Sequence, residues 1–304
     1  MPHRVLVCDT VDVTALALPP EFEVDYTPKV TPEELLQRIQ DYEVVVVRSR
    51  TKITADVIEK ATKLKLIARP GTGLDNIDLR AASARGIEVV NSPEALVEAV
   101  AEHVLGLMIA MARSIPAADA STRSGQWQKD RFVGVELKGK TLGIAGLGRI
   151  GRRVGELGKA FGMPVVGYDV IEIGKDVLAS IGCTMVDLDT LFSSSDFVTL
   201  HVPLSPETTH LVDSRRLALM KRTCYLVNAS RGEVIDELAL SKALKEGTIA
   251  GAGLDVFEKE PPSQELLDAP NLIATPHIAG QTRDAQRMAI TITGRKIVQF
   301  FQRR

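Results

Sequence analysis

Cysteine is scarce, and its placement suits neither disulfide nor metal chemistry. Cys8, Cys183 and Cys224 are far apart and odd in number, and each lies in or beside an apolar run. They read as buried free thiols in a reducing cytoplasm, and no metal is expected. An excess of charge of one sign is also lacking. There are 37 Lys and Arg against 39 Asp and Glu, a net charge of −2, with no long basic block. Nucleic acid is therefore not expected as the main partner. The opening Met1-Pro2-His3-Arg4-Val5 has no signal-peptide hydrophobic region. No apolar stretch reads as long enough to span a bilayer, so no membrane partner is expected. Low-complexity segments and short-period repeats are missing too. What is present is a chain of 304 residues, 45% hydrophobic and 25% charged. That length and balance fit two globular cores with an ordinary polar surface.

The first ninety residues alternate short apolar runs with helical patterns. Residues 4–9, 23–26, 44–48, 65–69 and 88–90 read as strands. Thr31-Pro32-Glu33-Glu34 predicts a helix start, with threonine as N-cap and proline at the first helical position. Thr54-Ala55-Asp56-Val57 predicts another. The alternation implies parallel strands with crossover helices. Residues 93–113 form one strongly apolar helical segment without interior proline after Pro93. Its length suits a helix joining two domains or packing in a subunit interface. A second alternating set follows, with strands at 141–145, 164–168, 197–201, 224–228, 250–254 and 272–274 and a short one near 184–186. A last helical pattern covers about 283–301.

Gly146-Leu147-Gly148-Arg149-Ile150-Gly151 follows the apolar run from Thr141 to Ala145 and opens a helical stretch from Arg152 to Phe161. Asp169 ends the next apolar run, 23 positions after Gly146. Strand, glycine turn, helix, strand and acid together make a dinucleotide pattern. The first glycine allows the tight turn and the second lets backbone approach a pyrophosphate. The third lets helix pack on strand, so the helix N-terminus faces the phosphate charge. Asp169 is placed to accept hydrogen bonds from ribose hydroxyls and to repel the extra phosphate of NADP. NAD is the expected cofactor.

Three polar sites stand at strand ends of the second half: Asn228-Ala229-Ser230-Arg231-Gly232, Leu254-Asp255 through Glu260-Pro261-Pro262, and Thr275-Pro276-His277-Ile278-Ala279-Gly280. Ligands of open α/β sheets bind beyond the carboxyl ends of strands. Moving a hydride from a hydroxyl-bearing carbon also requires moving a proton at oxygen, and histidine does that near neutral pH. A carboxylate can orient the imidazole, and an arginine can hold a substrate carboxylate in two bonds. Singly, Arg231 also reads as a strand cap, Glu260 as part of a solvated loop and His277 as a structural histidine. Together, Arg231, Glu260 and His277 read as one site.

The chain resembles the D-isomer-specific 2-hydroxyacid dehydrogenase family along nearly its whole length. The resemblance rests on residues 146–151, His-Val-Pro-Leu at 201–204, Asn-Ala-Ser-Arg-Gly at 228–232, Leu-Asp-Val-Phe-Glu-Lys-Glu-Pro at 254–261 and Pro-His-Ile-Ala-Gly at 276–280. It implies two doubly wound parallel-sheet α/β domains. A flavodoxin-like substrate domain would combine 1–93 with 282–304, and a Rossmann NAD-binding domain would cover 94–281. It implies that His277 is the acid/base with Glu260 as its partner, and that Arg231 binds the substrate α-carboxylate and carbonyl. Arg149 and Ile150 would lie along the pyrophosphate. His201, Val202, Pro203, Ala229, Ser230, Ala279 and Gly280 would neighbour the cofactor, as would Thr72, with Asp255 near the nicotinamide carboxamide. His103 reads as a structural helix residue.

The same resemblance marks Arg69-Pro70-Gly71-Thr72-Gly73-Leu74-Asp75-Asn76 as a substrate loop and Arg48-Ser49 as a substrate-facing pair. Arg48, Arg69, Lys129 and Arg131 could form an anion patch, although Lys129 and Arg131 read equally as a solvated loop. Within the family, the implied activity is oxidation of D-3-phosphoglycerate to 3-phosphohydroxypyruvate. Pro70 and Leu96-Val97 depart from residues common in that branch, which leaves glyoxylate or hydroxypyruvate reduction open. An NAD(H)-sensing binding protein of corepressor type is a third reading. Twenty-seven residues follow His277, so a C-terminal regulatory domain with serine feedback is not expected. A cytoplasmic setting is expected, and the resemblance implies a homodimer with residues 97–111 and the preceding cofactor-domain helix in its interface.

Overall fold

The computed structural model describes residues 2–303, and these divide into two compact units. One is Met1–Leu96 with Gln281–Arg304, and the other is Val97–Gly280.

The first unit holds five strands: β1 (His3–Val7), β2 (Phe22–Tyr26), β3 (Val44–Val46), β4 (Leu66–Arg69) and β5 (Glu88–Asn91). All are parallel, in the order β2-β1-β3-β4-β5. Both faces of this sheet are covered, which explains why β3 is an unbroken valine run rather than an alternating one. Val5, Val7, Val44, Val46, Leu66 and Ala68 face one core with Ile290, Ile297 and Phe300 of the helix Arg283–Gln302. Leu6, Val45, Val47 and Ile67 face the other, against Leu35, Ile39, Val57 and Ile58. The helix Pro32–Arg38 starts as its sequence predicts. Thr31 Oγ1 accepts from the Glu34 N–H, and the Glu34 carboxylate returns a bond to the Thr31 N–H. Thr54 Oγ1 caps Ala55–Lys60 by accepting from the Val57 N–H, with no side-chain bond in return.

The second unit holds seven parallel strands: β6 (Leu142–Ala145), β7 (Val165–Tyr168), β8 (Cys183–Met185), β9 (Phe197–Leu200), β10 (Tyr225–Asn228), β11 (Gly251–Leu254) and β12 (Leu272–Ala274). Their order is β12-β11-β10-β9-β6-β7-β8. The chain therefore reverses direction across the sheet between β6 and β9, which is where doubly wound sheets open a crevice. All twelve strands lie within two residues of their sequence expectation. The helix after β6 begins at Arg149, a turn earlier than expected, so Arg149, Ile150 and Gly151 are already helical.

The expectation that no apolar stretch could span a bilayer needs correcting. Pro93–Ala112 is 20 residues long and apolar enough to do so by length and composition. Half of it is buried. It packs against β10, β11 and the helix Arg149–Ala160, with Val104 and Met108 fully covered. That is the environment of a core helix. Its first turn, Pro93–Leu96, is a 3-10 helix, and the α-helix proper is Val97–Ala112.

Candidate active site

The loop after β6 is shaped by its glycines. Gly146 has φ +95°, and a Cβ there would meet the His201 carbonyl oxygen at 2.6 Å, so no other residue fits. A Cβ on Gly151 would lie 2.0 Å from the Gly146 carbonyl oxygen. Gly148 is different. Its φ of −68° suits any residue, and a Cβ there would meet nothing within 4 Å. The protein itself does not require glycine at this position. The open space lies at the N-cap of a 12-residue helix with no side-chain cap, where unpaired N–H groups favour an anion. A dinucleotide pyrophosphate fits both features. Asp169 follows β7, and its carboxylate accepts from the Leu147 N–H at 2.7 Å and the Ile171 N–H at 3.0 Å. It is thus fixed beside the glycine loop.

The C-terminal ends of β10, β11 and β12 are adjacent in the sheet and carry the polar residues singled out in the sequence. Asn228 ends β10 and is fully buried. Its side chain donates to the Arg231 carbonyl and accepts from the Ser230 N–H and hydroxyl, which folds Ala229-Ser230-Arg231 into a compact turn. The Arg231 guanidinium donates to the Ser230 carbonyl at 2.7 Å. Asp255, just past β11, is 1% exposed and serves the loop after β12. Its Oδ1 accepts from Ile278 N–H at 2.8 Å and Thr275 Oγ1 at 2.6 Å, and its Oδ2 accepts from Ala279 N–H at 2.8 Å. The His277 N–H donates to the Asp255 carbonyl at 2.9 Å. Together these bonds hold His277 at φ +55°, a conformation that a non-glycine residue adopts at a cost.

So held, the exposed His277 ring sets Nδ1 at 2.9 Å and 3.2 Å from the two Glu260 carboxylate oxygens. Seventeen residues separate the two in sequence. The pairing directs the other ring nitrogen, Nε2, away from the carboxylate. His201, past β9, is the other histidine near the glycine loop. Its Nε2 lies 3.0 Å from Thr199 Oγ1, and burial pushes its pKa down to about 4. It stays neutral at neutral pH and is a poor proton carrier there.

Arg48, Ser49, Arg69, Gly71, Thr72 and Gly73 belong to the first unit, while Lys129 and Arg131 belong to the second. The residues of the expected anion patch therefore fall in different units. Asn76 ties its first-unit members together. Its Oδ1 accepts from Arg69 Nε at 3.1 Å, and its Nδ2 donates to the carbonyls of Arg48 at 2.7 Å and Thr51 at 2.6 Å. Asp9 holds the same loop from beneath, accepting from Arg48 N–H, Arg50 Nε and Thr51 Oγ1. Sequence reasoning placed Asn76 at the end of the substrate loop without a role of its own, and passed over Asp9. The available signal was positional, because Asp9 follows its strand as Asp169 follows β7. Lys129 and Arg131 sit in an exposed 3-10 turn, with the Arg131 guanidinium over the Phe132 ring at 5.7 Å.

Residues 105–279 match the model of the D-isomer specific 2-hydroxyacid dehydrogenase NAD binding domain. The chain belongs to the D-isomer specific 2-hydroxyacid dehydrogenase family. Over 297 residues it is 50% identical to the D-3-phosphoglycerate dehydrogenase of Methanocaldococcus jannaschii, covering 97% of this chain and 56% of that protein. The chain spans about half the length of the curated relatives it matches. Its fold superposes on a glyoxylate reductase from Paecilomyes thermophila with a TM-score of 0.91 at 29% identity, over 98% of this chain and 95% of that one. It also superposes on a D-lactate dehydrogenase from Aquifex aeolicus, complexed with NAD and lactic acid, with a TM-score of 0.85 at 32% identity over 98% and 95%. As a family member, the chain carries an NAD-binding domain in its second unit.

Because no protein atom requires glycine at position 148, Gly148→Ala should leave the melting temperature nearly unchanged. It should weaken NADH binding by about tenfold or more, since the added Cβ enters the pyrophosphate's approach. Thermal melts and NADH fluorescence titration check this. Unaltered NADH affinity would remove the phosphate reading of that space.

Proposed function

We propose that this chain is an NAD-dependent D-2-hydroxyacid dehydrogenase that oxidises D-3-phosphoglycerate to 3-phosphohydroxypyruvate, the entry to serine synthesis. The observation that carries the reading is the His277–Glu260 pair at 2.9 Å. It joins the loop after β11 to the loop after β12, in the same sheet whose glycine loop suits a dinucleotide. The phosphorylated substrate is supported by the relatives named D-3-phosphoglycerate dehydrogenase at 43–50% identity.

NAD supplies the acceptor for the C2 hydride. Glu260 accepts the Nδ1–H of His277, which leaves Nε2 unprotonated and able to take the substrate hydroxyl proton as the hydride departs. Glu260 also balances the positive charge that this proton brings to the ring. In the reverse direction the same Nε2 returns the proton to the ketone oxygen. Arg231 holds the α-carboxylate and polarises the neighbouring carbonyl. Asp169 receives the adenosine ribose hydroxyls, and the backbone around Arg149 and Ile150 receives the pyrophosphate. Thr72, His201, Val202, Pro203, Ala229, Ser230, Asp255, Ala279 and Gly280 are the remaining residues assigned to the cofactor. Arg48 and Arg69, with Ser49, Gly71 and Gly73, are assigned to the substrate's anionic groups, and Lys129 to its phosphate. The domain roles follow, with 1–93 plus 282–304 binding substrate and 94–281 binding NAD. Glyoxylate or hydroxypyruvate reduction is the second reading, favoured by the likeness to a glyoxylate reductase.

A homodimer is part of the proposal. The helix Ile115–Arg123 buries none of its residues, and beyond it Trp127 and Val133 are each 84% exposed. A helical segment with so little cover, carrying large apolar side chains, suits a symmetric partner surface. A cytoplasmic setting accords with three buried cysteines that are all unpaired.

Purified protein should form NADH from NAD and D-3-phosphoglycerate, and His277→Ala should cut turnover about 10²- to 10⁴-fold while NADH binding survives. Fast glyoxylate reduction without use of the phosphorylated acid would select the second reading. Equal turnover in His277→Ala would overturn the assignment. Light scattering on a sizing column should give a dimer, with Trp127→Glu shifting it toward monomer. A monomeric parent chain would contradict the interface.

A further inference from the structure

The helix Val97–Ala112 carries a histidine that the proposed reaction does not use. His103 has 20% of its side chain exposed. Its Nε2 lies 3.1 Å from Thr275 Oγ1 and 3.5 Å from Asp255 Oδ1. The direction of each bond follows from donor counting. Thr275 has one hydroxyl proton. Its short contact is to Asp255 Oδ1 at 2.6 Å, while the Leu254 carbonyl is at 3.5 Å. The carboxylate can only accept, so the threonine proton goes to Asp255. Thr275 Oγ1 is then an acceptor toward His103, and His103 Nε2 must carry a hydrogen. The three groups form one directed chain from His103 Nε2–H through Thr275 Oγ1–H to Asp255 Oδ1.

That chain ends on the carboxylate that builds the His277 turn. Asp255 is 1% exposed, and a buried carboxylate must be paired or fully hydrogen-bonded. Its other donors are the N–H groups of Ile278 and Ala279, the two residues directly after His277. Withdrawing the side-chain donors would leave those N–H groups to satisfy it alone, and the carboxylate would turn toward whatever donor remains. The turn would shift with it, and so would the His277 ring that Glu260 orients from the far side.

We propose that His103 is a positioning residue, acting through Thr275 and Asp255 to hold His277 in its left-handed turn. The proposal rests on His277 being the acid/base. It assigns the core helix a part in catalysis that burial alone does not need. A phenylalanine of similar size would fill the same space but supply no donor. A glutamine could present an N–H near the position of Nε2.

The test compares His103→Phe, His103→Gln, Thr275→Val and His277→Ala with the parent protein. It follows kcat and KM with D-3-phosphoglycerate or glyoxylate, NADH affinity by fluorescence, and melting temperature. A displaced general base costs turnover more than binding. His103→Phe and Thr275→Val should each lose about tenfold or more in kcat, with KM and NADH affinity changed little. His103→Gln should recover most of the loss. Thr275→Val is nearly isosteric and provides the reading should His103→Phe fail to fold. Parent-like kcat in Thr275→Val or His103→Phe, beside an inactive His277→Ala, would overturn the relay and leave the proposed function intact. An equal loss in His103→Gln and His103→Phe would also overturn it, because the donor would then not matter. Parent-like kcat in His277→Ala would instead remove the acid/base assignment, and the relay with it.

Discussion

The buried carboxylate of Asp255 is the constraint on which the site depends. A carboxylate that is 1% exposed must be satisfied inside the protein, and its donors come from the loop after β12. Meeting that demand fixes the backbone of residues 277–279, including a histidine at φ +55°. The ring is then presented from a rigid turn, and Glu260 completes its orientation. Loops that carry chemistry need this kind of tethering, because a mobile general base loses the advantage of proximity.

Both sheets use one arrangement for different ends. In each unit the polar residues lie at the carboxyl ends of parallel strands, where helices cannot cover them. In the first unit Asp9 and Asn76 pull the segments after β1, β3 and β4 into one network around Arg48 and Arg69. In the second, Asp169 braces the glycine loop, Asn228 shapes the loop after β10 and Asp255 shapes the loop after β12. Each of these five side chains bonds backbone groups of the loops that carry the residues assigned to ligands.

The sheets were legible because their strands are short, apolar and separated by turn residues, and parallel strands covered on both faces leave a strong signal. Helix starts at Thr31 and Thr54 were legible because capping is local chemistry. The beginning of the helix at Arg149 was less so, since Gly151 looks like turn until the packing of helix on strand is seen. The candidate triad could be read from motifs at strand ends. The Asp255 network could not, because Asp255, Thr275 and His103 meet only once the helix Val97–Ala112 lies on the sheet. No spacing in the sequence announces a contact across 172 residues. The apolar helix itself was underestimated, because length and composition do not tell a core helix from a membrane span.

The most direct measurement is a crystal structure with NADH and a bound 2-hydroxy acid or its keto counterpart. The account predicts the substrate oxygen within hydrogen-bond reach of His277 Nε2, Glu260 still on Nδ1, and C2 roughly 3–3.5 Å from the nicotinamide carbon that exchanges hydride. A substrate oxygen held by another group, with His277 turned away from it, would contradict the account.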